Sequence, residues 1–211
     1  TLRNGLDLRV CKLSHLPVVS TNLFFRAGEA QLIESRAGLA VMTGDALEGG
    51  TQKRSGTDLA EALERIGARL GVTTGWEGTS VAISCLADRL EEALGLLSEA
   101  VLEPAFPEDE VDRAREQQLA GIRQRAMDPS ALASMEANRR YFVSGIPYAR
   151  PQDGTEESIG RVTRDLLSEF FDACYRPTGG GLIVAGDLDP DEIEMMANHR
   201  LGAWTGAPQA S

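Results

Sequence analysis

Histidine is the scarcest chemistry-bearing residue in this chain. Only His15 and His199 occur among 211 residues, and they stand far apart in the sequence. A catalytic zinc site needs three protein ligands and an open position for water, and histidine is one of the commonest ligands. His15 lies in a short turn before Pro17, where we expect it to face solvent rather than a metal. The sequence therefore offers little material for a histidine-based site.

Cysteine is also sparse. The three residues Cys11, Cys85 and Cys174 are widely separated and lie in apolar contexts. Free cysteine behaves as a small buried hydrophobe, and an odd number of cysteines cannot pair completely. We predict three buried free thiols, with a single bridge as the alternative that the sequence leaves open.

Positive charge is in deficit, with 21 Lys and Arg against 32 Asp and Glu, for a net charge of -11. Nucleic-acid binding rests on neutralising phosphates with Lys and Arg, so this balance argues against such a partner. The excess of negative charge favours solubility, and a cationic ligand remains a second interpretation.

Long apolar runs are missing as well. No run approaches the roughly 18 residues that a membrane-spanning helix needs, and the N-terminus does not resemble a signal peptide. The chain opens at Thr1 within strand-like sequence, so we expect a piece of a longer protein whose export signal, if any, lies upstream. Bacterial periplasm and bacterial cytoplasm both stay open.

What is present indicates a globular fold, because 42% of the residues are hydrophobic and 25% are charged. Strands occur in pairs and helices occur in runs, without the regular alternation of a doubly wound fold. We predict an α+β fold, with a mixed and largely antiparallel sheet packed against several helices, and a single domain over residues 1–211. Strands are predicted around residues 6–10, 18–27, 70–74, 79–86 and 180–187, with helices between and after them.

The segment from Gly38 to Thr51 reads as one buried helix. Its Gly-Leu-Ala opening and its Gly-Thr close resemble the zinc-motif helix of the pitrilysin/insulinase-type zinc peptidases, a family related to mitochondrial processing peptidase. In that family the inverted motif His-x-x-Glu-His lies between these landmarks. The resemblance extends over nearly the whole chain, through Leu-Glu-Pro-Ala-Phe at 102–106, Pro-Tyr-Ala-Arg-Pro at 147–151, Gly-Thr-Glu-Glu-Ser-Ile at 154–159, Val-Thr-Arg-Asp-Leu at 162–166 and Tyr-Arg-Pro at 175–177.

The same resemblance implies that the catalytic residues are replaced. Val41 and Asp45 occupy the family's two histidine positions, and Gly44 occupies that of the glutamate base. Gly121 stands where the distal glutamate ligand is expected, and Ala114 where a supporting acid is expected. We therefore predict no zinc and no other cofactor in this chain, with zinc held by a partner subunit or domain.

Two further elements are candidates for function. Asp45 and Glu48 lie three residues apart and could form an acid pair, but we expect them to be solvated or locally paired, because a helix C-terminus disfavours negative charge. The strand Gly71, Val72, Thr73 and Thr74 resembles the strand that accepts substrate peptide by edge pairing in active relatives. An edge strand covered by a partner domain is the alternative.

The resemblance implies a catalytically inactive domain of a zinc protease, which closes a peptide-binding chamber with a zinc-bearing partner. The chain would be the first domain of the zinc-less half, without its C-terminal sister domain, and it would share the peptide substrate with the partner. The alternative is a purely structural subunit of a larger complex, like the respiratory bc1 core proteins. A homodimer in isolation stays open, because surfaces meant for sister domains are free to self-associate.

Overall fold

A five-stranded mixed sheet is the centre of the structure, a computed structural model that describes residues 1–208. The strands lie in the order β1-β5-β2-β4-β3. Only the β1–β5 pair is parallel, and the other three pairs are antiparallel. The strand bounds are Asp7–Lys12 (β1), Val18–Phe25 (β2), Arg69–Thr74 (β3), Thr79–Leu86 (β4) and Gly181–Gly186 (β5).

Eight α-helices accompany the sheet within residues 1–208. Their bounds are Leu39–Ala46 (α1), Gly56–Arg65 (α2), Leu90–Leu102 (α3), Glu108–Arg125 (α4), Pro129–Tyr141 (α5), Glu156–Gly160 (α6), Arg164–Cys174 (α7) and Pro190–Leu201 (α8). The start of α2 follows directly from its sequence, because Ser55 and Asp58 form a reciprocal capping box that satisfies two free backbone N–H groups. The predicted helix at 38–51 is confirmed, although its last turn, Leu47–Gly49, is a 3₁₀ turn.

One face of the sheet carries the core. In β2 the residues Val19, Leu23 and Phe25 are fully buried, and their neighbours in alternate positions are more exposed. This alternation is the pattern of a sheet with one face packed on helices and the other facing outward. The inward residues and the apolar sides of the helices form one continuous hydrophobic cluster. The predicted α+β class and mixed sheet are therefore confirmed.

The thiol prediction is wrong for Cys11 and confirmed for Cys85 and Cys174. All three cysteines are free, but Cys11 is exposed. It alternates with Leu8 and Val10, which pack against the core, so its side chain points to the outward face of the sheet. The same face is exposed on the inner strand β5, where Ile183 is 50% exposed. His15 is exposed in its turn, as predicted.

Candidate functional site

A cleft of about 490 Å³ lies between α1, the middle of α4 and the segment around residue 153. Four of the five positions at which the family's catalytic residues are replaced line this cleft, namely Val41, Asp45, Ala114 and Gly121. They come from two helices that pack against each other, although up to 80 residues separate them in the sequence. The residue spacing of the family therefore identifies residues that the fold brings together in one cleft.

Gly44, the fifth position, does not face this cleft. It faces β3, and a Cβ added at Gly44 would collide with Thr74 Oγ1 and lie 3.3 Å from Val72 Cγ1. Thr74 Oγ1 is itself held 3.0 Å from Thr79 Oγ1. Helix α1 therefore packs on the edge strand through a residue that has no side chain. The space that a side chain at position 44 would need is occupied by the hydroxyl group of Thr74.

Asp45 and Glu48 supply unpaired negative charge to the cleft. Both side chains reach solvent, and neither forms an ion pair with any residue in the described chain. Partial burial in the cleft raises the pKa of both carboxyl groups, and the nearby Glu48 raises the pKa of Asp45 further. The prediction that they are solvated is confirmed, because both side chains are exposed.

The other acids that line the cleft are neutralised locally. Glu110 forms an ion pair with Arg113, and Asp153 forms one with Arg125. Over residues 1–208, no three His, Cys, Asp or Glu side chains are arranged to hold a metal ion. Zinc binding requires such a set of ligands, and of the five predicted positions only Asp45 carries a donor. The residues present do not fit a catalytic zinc ion.

A buried acid near this cleft was not found from the sequence. Glu29 is fully buried, and its carboxylate accepts from the backbone N–H groups of Gly38 at 2.6 Å and Ala40 at 3.3 Å, at the start of α1. Helix α1 has no side-chain cap of its own, so Glu29 satisfies its free N–H groups from nine residues upstream. Burial raises the Glu29 pKa to about 7, although these bonds and Arg150, 3.7 Å away, oppose the rise. The only sequence signal was indirect, since the helix lacks Ser, Thr, Asp or Asn at its N-cap.

Strand β3 lies at the edge of the sheet, as a peptide-accepting strand must. The hairpin to β4 is closed by the bond from Gly75 N–H to Gly78 C=O, at 2.8 Å. Bonded and non-bonded pairs alternate in an antiparallel ladder, so the backbone groups of Leu70, Val72 and Thr74 point away from β4. Of the predicted stretch at 71–74, only Val72 and Thr74 can therefore offer hydrogen bonds to an added strand.

The family model for insulinase, peptidase family M16, matches residues 13–142, which is more than half of the chain. The chain belongs to the M16 family. The family resemblance inferred from the sequence is thereby confirmed.

Relatives of this M16 domain are named as a zinc protease, as a non-peptidase homolog and as a subunit of a respiratory complex. It is 27% identical to the non-peptidase homolog YmxG of Helicobacter pylori, over 88% of this chain and 43% of that protein. It is 30% identical to an uncharacterized zinc protease of Mycobacterium leprae, over 96% of this chain and 45% of that protein. Human mitochondrial cytochrome b-c1 complex subunit 1 is 24% identical over 99% of this chain and 44% of that subunit.

The M16 fold is also found in a solved structure described as a peptidase M16 inactive domain from Pseudomonas fluorescens. The two share 27% identity and superpose with a TM-score of 0.92, over all of this chain and 51% of that one. This M16 domain thus spans about half the length of the proteins it matches. Through residue 208, no helix has both the length and the apolar character needed to cross a bilayer.

Proposed function

We propose that this chain is a noncatalytic M16 domain that closes a peptide-binding chamber against a zinc-bearing partner. Residues 1–211 are one domain, the first of the zinc-less half of a clamshell, and a sister domain completes that half. The partner supplies the zinc ion, the glutamate base and the activated water. This domain supplies a wall of the chamber.

The packing at Gly44 carries the proposal. The family resemblance puts the catalytic base at this position, and the structure fills the corresponding space with Thr74 of the edge strand. A longer side chain at Gly44 would have to displace the Thr74 side chain and press on that of Val72. The position is therefore adapted to close packing of α1 on the sheet, which is a structural use of the helix.

The edge strand β3 is the element through which this domain would meet peptide. Main-chain pairing along an edge gives affinity with little demand on sequence, which suits an enclosed chamber that holds varied peptides. Val72 and Thr74 present the outward backbone groups, and Gly71 and Thr73 pair with β4. Peptide would lie beside β3, at the opening of the cleft that Val41, Asp45, Ala114 and Gly121 line.

The names of the relatives support both a noncatalytic role for this chain and a zinc-bearing partner. The Pseudomonas fluorescens structure is described as an inactive domain and the Helicobacter pylori protein as a non-peptidase homolog. The Mycobacterium leprae relative is named a zinc protease. All three are about twice as long as this chain, which supports a second domain in the working protein.

Reconstitution with a zinc-bearing M16 subunit from the same source organism tests the proposal. We expect the two proteins to co-elute and cleavage of a quenched fluorescent peptide to rise at least tenfold over the subunit alone. An unrelated acidic protein of equal size is the control for crowding and surface adsorption. A fully active subunit that never associates with this chain would refute the proposal.

A structural scaffold is the second candidate, favoured by the similarity to human cytochrome b-c1 complex subunit 1. In that case the chain would associate stably with a partner, while the rate of peptide cleavage stayed unchanged. The same reconstitution therefore separates the two functions, because association is read by elution and the chamber role by the cleavage rate.

A further inference from the structure

A second cavity, of about 490 Å³, opens at the end of β3. It lies between the β3–β4 turn, α1, α5 and the segment from residue 150 to residue 153. Each of these four parts of the chain contributes to its apolar wall, which consists of Val41, Trp76, Ala131, Met135 and Pro151. The volume is within the range of cavities that bind small ligands, and we call this space the Trp76 cavity.

The charged groups that line the Trp76 cavity are already engaged with other protein groups. Arg125 forms an ion pair with Asp153. Arg150 donates to the carbonyl groups of Glu29 and Leu32, at 3.1 and 2.6 Å. A charged side chain that entered the cavity would lose its water without gaining a partner of opposite charge. The cavity therefore suits a neutral, apolar group.

The aromatic wall of the Trp76 cavity is held in place by its surroundings. The backbone carbonyl of Trp76 accepts from the N–H of Ala30 at 2.8 Å, and the Trp76 ring packs on Tyr148 with a centroid distance of 5.1 Å. The Tyr148 hydroxyl group in turn donates to the carboxylate of Glu77. Met135 is the adaptable part of the wall, because an unbranched thioether fits apolar groups of different shapes.

The Trp76 cavity lies on the side of the sheet to which the Thr74 side chain points. Thr74 Oγ1 faces Gly44 of α1, and Thr74 also lines the cavity. Residues that stand opposite each other on neighbouring strands point to the same face of a sheet. A peptide residue beside Thr74 would therefore direct its side chain toward the cavity. Because the Thr74 carbonyl already accepts from the Gln152 amide at 2.7 Å, the side chain would supply much of the affinity at this position.

We propose that the Trp76 cavity binds one large apolar side chain, aromatic or aliphatic, of a peptide that lies along β3. This inference rests on the proposed function, because it adds a side-chain preference to the strand that meets peptide. Main-chain pairing along an edge strand accepts many sequences, and the cavity selects among them at the residue beside Thr74. The ligand class is thus a peptide with a bulky apolar residue at that position.

The fluorescence of Trp76 measures binding. The chain has two tryptophans, and Trp204 packs on Phe25 with a centroid distance of 5.2 Å, so Trp204→Phe keeps an aromatic ring there and leaves Trp76 as the single fluorophore. The probes are capped five-residue peptides of threonine with phenylalanine, leucine, alanine or aspartate at the centre. Calorimetry with the wild-type chain repeats the comparison without the substitution.

The expected result is a clear order of affinities. Burial of a large apolar side chain corresponds to at least about a tenfold gain in affinity. The phenylalanine and leucine peptides should therefore bind at least about tenfold more tightly than the alanine peptide, and the aspartate peptide should bind no more tightly than the alanine peptide.

A substitution on α5 tests the place of binding. Ala131→Phe fills the Trp76 cavity and should remove the tenfold preference for the phenylalanine peptide. Ala133→Phe is the matched control, because Ala133 is exposed on the same helix and does not line the cavity. Neither substitution enters the core, since α5 contains no buried residue.

The outcomes separate the cavity from the proposed function. Equal affinity for all four peptides would overturn the side-chain preference and leave the docking role of β3 intact, and a preference that survives Ala131→Phe would overturn the Trp76 cavity as its cause. Absence of binding by every peptide would contradict both the cavity and the docking role. A preference lost only in Ala131→Phe would uphold the cavity, even if reconstitution with a zinc-bearing subunit failed and refuted the chamber.

Discussion

Glu29 places a carboxylate at the buried start of α1, and its titration should be visible in the stability of the protein. Burial raises its pKa from 4.5 to about 7, so the folded state holds the proton more tightly than the unfolded chain does. Stability from this group is full below pH 4.5 and is lost as the pH rises to about 7. The change corresponds to at most about 3 kcal/mol.

We predict that the free energy of unfolding falls more steeply between pH 5 and pH 8 in the wild type than in Glu29→Gln. Urea unfolding at several pH values measures it. Asp45 and Glu48 also have raised pKa values and act in the same direction, so the difference between the two proteins isolates Glu29. Parallel curves would show that Glu29 stays ionised throughout.

A second prediction concerns Gly44. Gly44→Ala should destabilise the fold by about 1–3 kcal/mol, because the new Cβ meets Thr74 Oγ1 and overpacks the contact between α1 and β3. Thr74→Ala removes that hydroxyl group, so the double variant should recover at least about 1 kcal/mol relative to additive effects. Chemical denaturation of the four proteins gives the coupling.

Gly121 is the matched control, because no atom lies within 4 Å of a Cβ added there. Alanine is the better helix former, so Gly121→Ala should stabilise α4 by about 0.5–1 kcal/mol. If Gly44→Ala were as harmless as Gly121→Ala, the close packing that carries the proposed function would be contradicted.

At the scale of elements, two side chains of α4 form hydrogen bonds to the segment that precedes α6. Arg125 forms two hydrogen bonds to the carboxylate of Asp153. Gln118 donates to the carbonyls of Asp153 at 2.9 Å and Gly38 at 3.1 Å, which joins this segment to the start of α1. Gln118 thus joins α4, the start of α1 and the segment before α6, and these three elements form the wall of the cleft.

Arg125→Ala should loosen residues 147–154 and cost about 1–2 kcal/mol, because the Asp153 carboxylate would lose its charged partner in a partly buried place. Limited proteolysis should then cut this segment faster. Arg139→Ala is the control, since its bonds to Glu136 are exposed at the surface of α5. Equal cutting in both variants would exclude the role of Arg125.

Local sequence signals were sufficient for most of these elements. The predicted strands at 18–27, 70–74, 79–86 and 180–187 agree with the observed bounds of β2, β3, β4 and β5 to within two residues. The burial of Cys11 is a wrong prediction, because an apolar residue type was given more weight than its position in the alternation. Cys11 alternates with Leu8 and Val10 and so points to the outward face of the sheet.

At the scale of the whole molecule, the resemblance to the family predicted more of the site than the local sequence pattern did. Its spacing selected Val41, Asp45, Ala114 and Gly121, which the fold brings into one cleft. The resemblance to the family did not predict that Gly44 faces β3, nor that the Gln152 side chain donates to the carbonyl of Thr74. Those contacts join residues 30 to 78 positions apart through packing, and they depend on side chains that the resemblance does not specify.

The partner would cover a surface that this domain leaves open. Helix α5 contains no buried residue, and Tyr141 and Val143 at its end are 83% and 75% exposed. Exposed aromatic side chains are enriched at protein interfaces. In the reconstituted complex we expect Tyr141→Ser to weaken association at least fivefold, measured by titration calorimetry, with Arg139→Ala as the neutral neighbour. An unchanged affinity would place the interface elsewhere.

The central claim is that this chain keeps the M16 fold and does not keep the metal. Elemental analysis of zinc in the purified chain, after exhaustive dialysis against metal-free buffer, tests it most directly. We predict less than about one zinc ion per ten chains, because one carboxylate at Asp45 does not make a three-ligand site. One tightly held zinc ion per chain, lost in Asp45→Ala, would contradict the account.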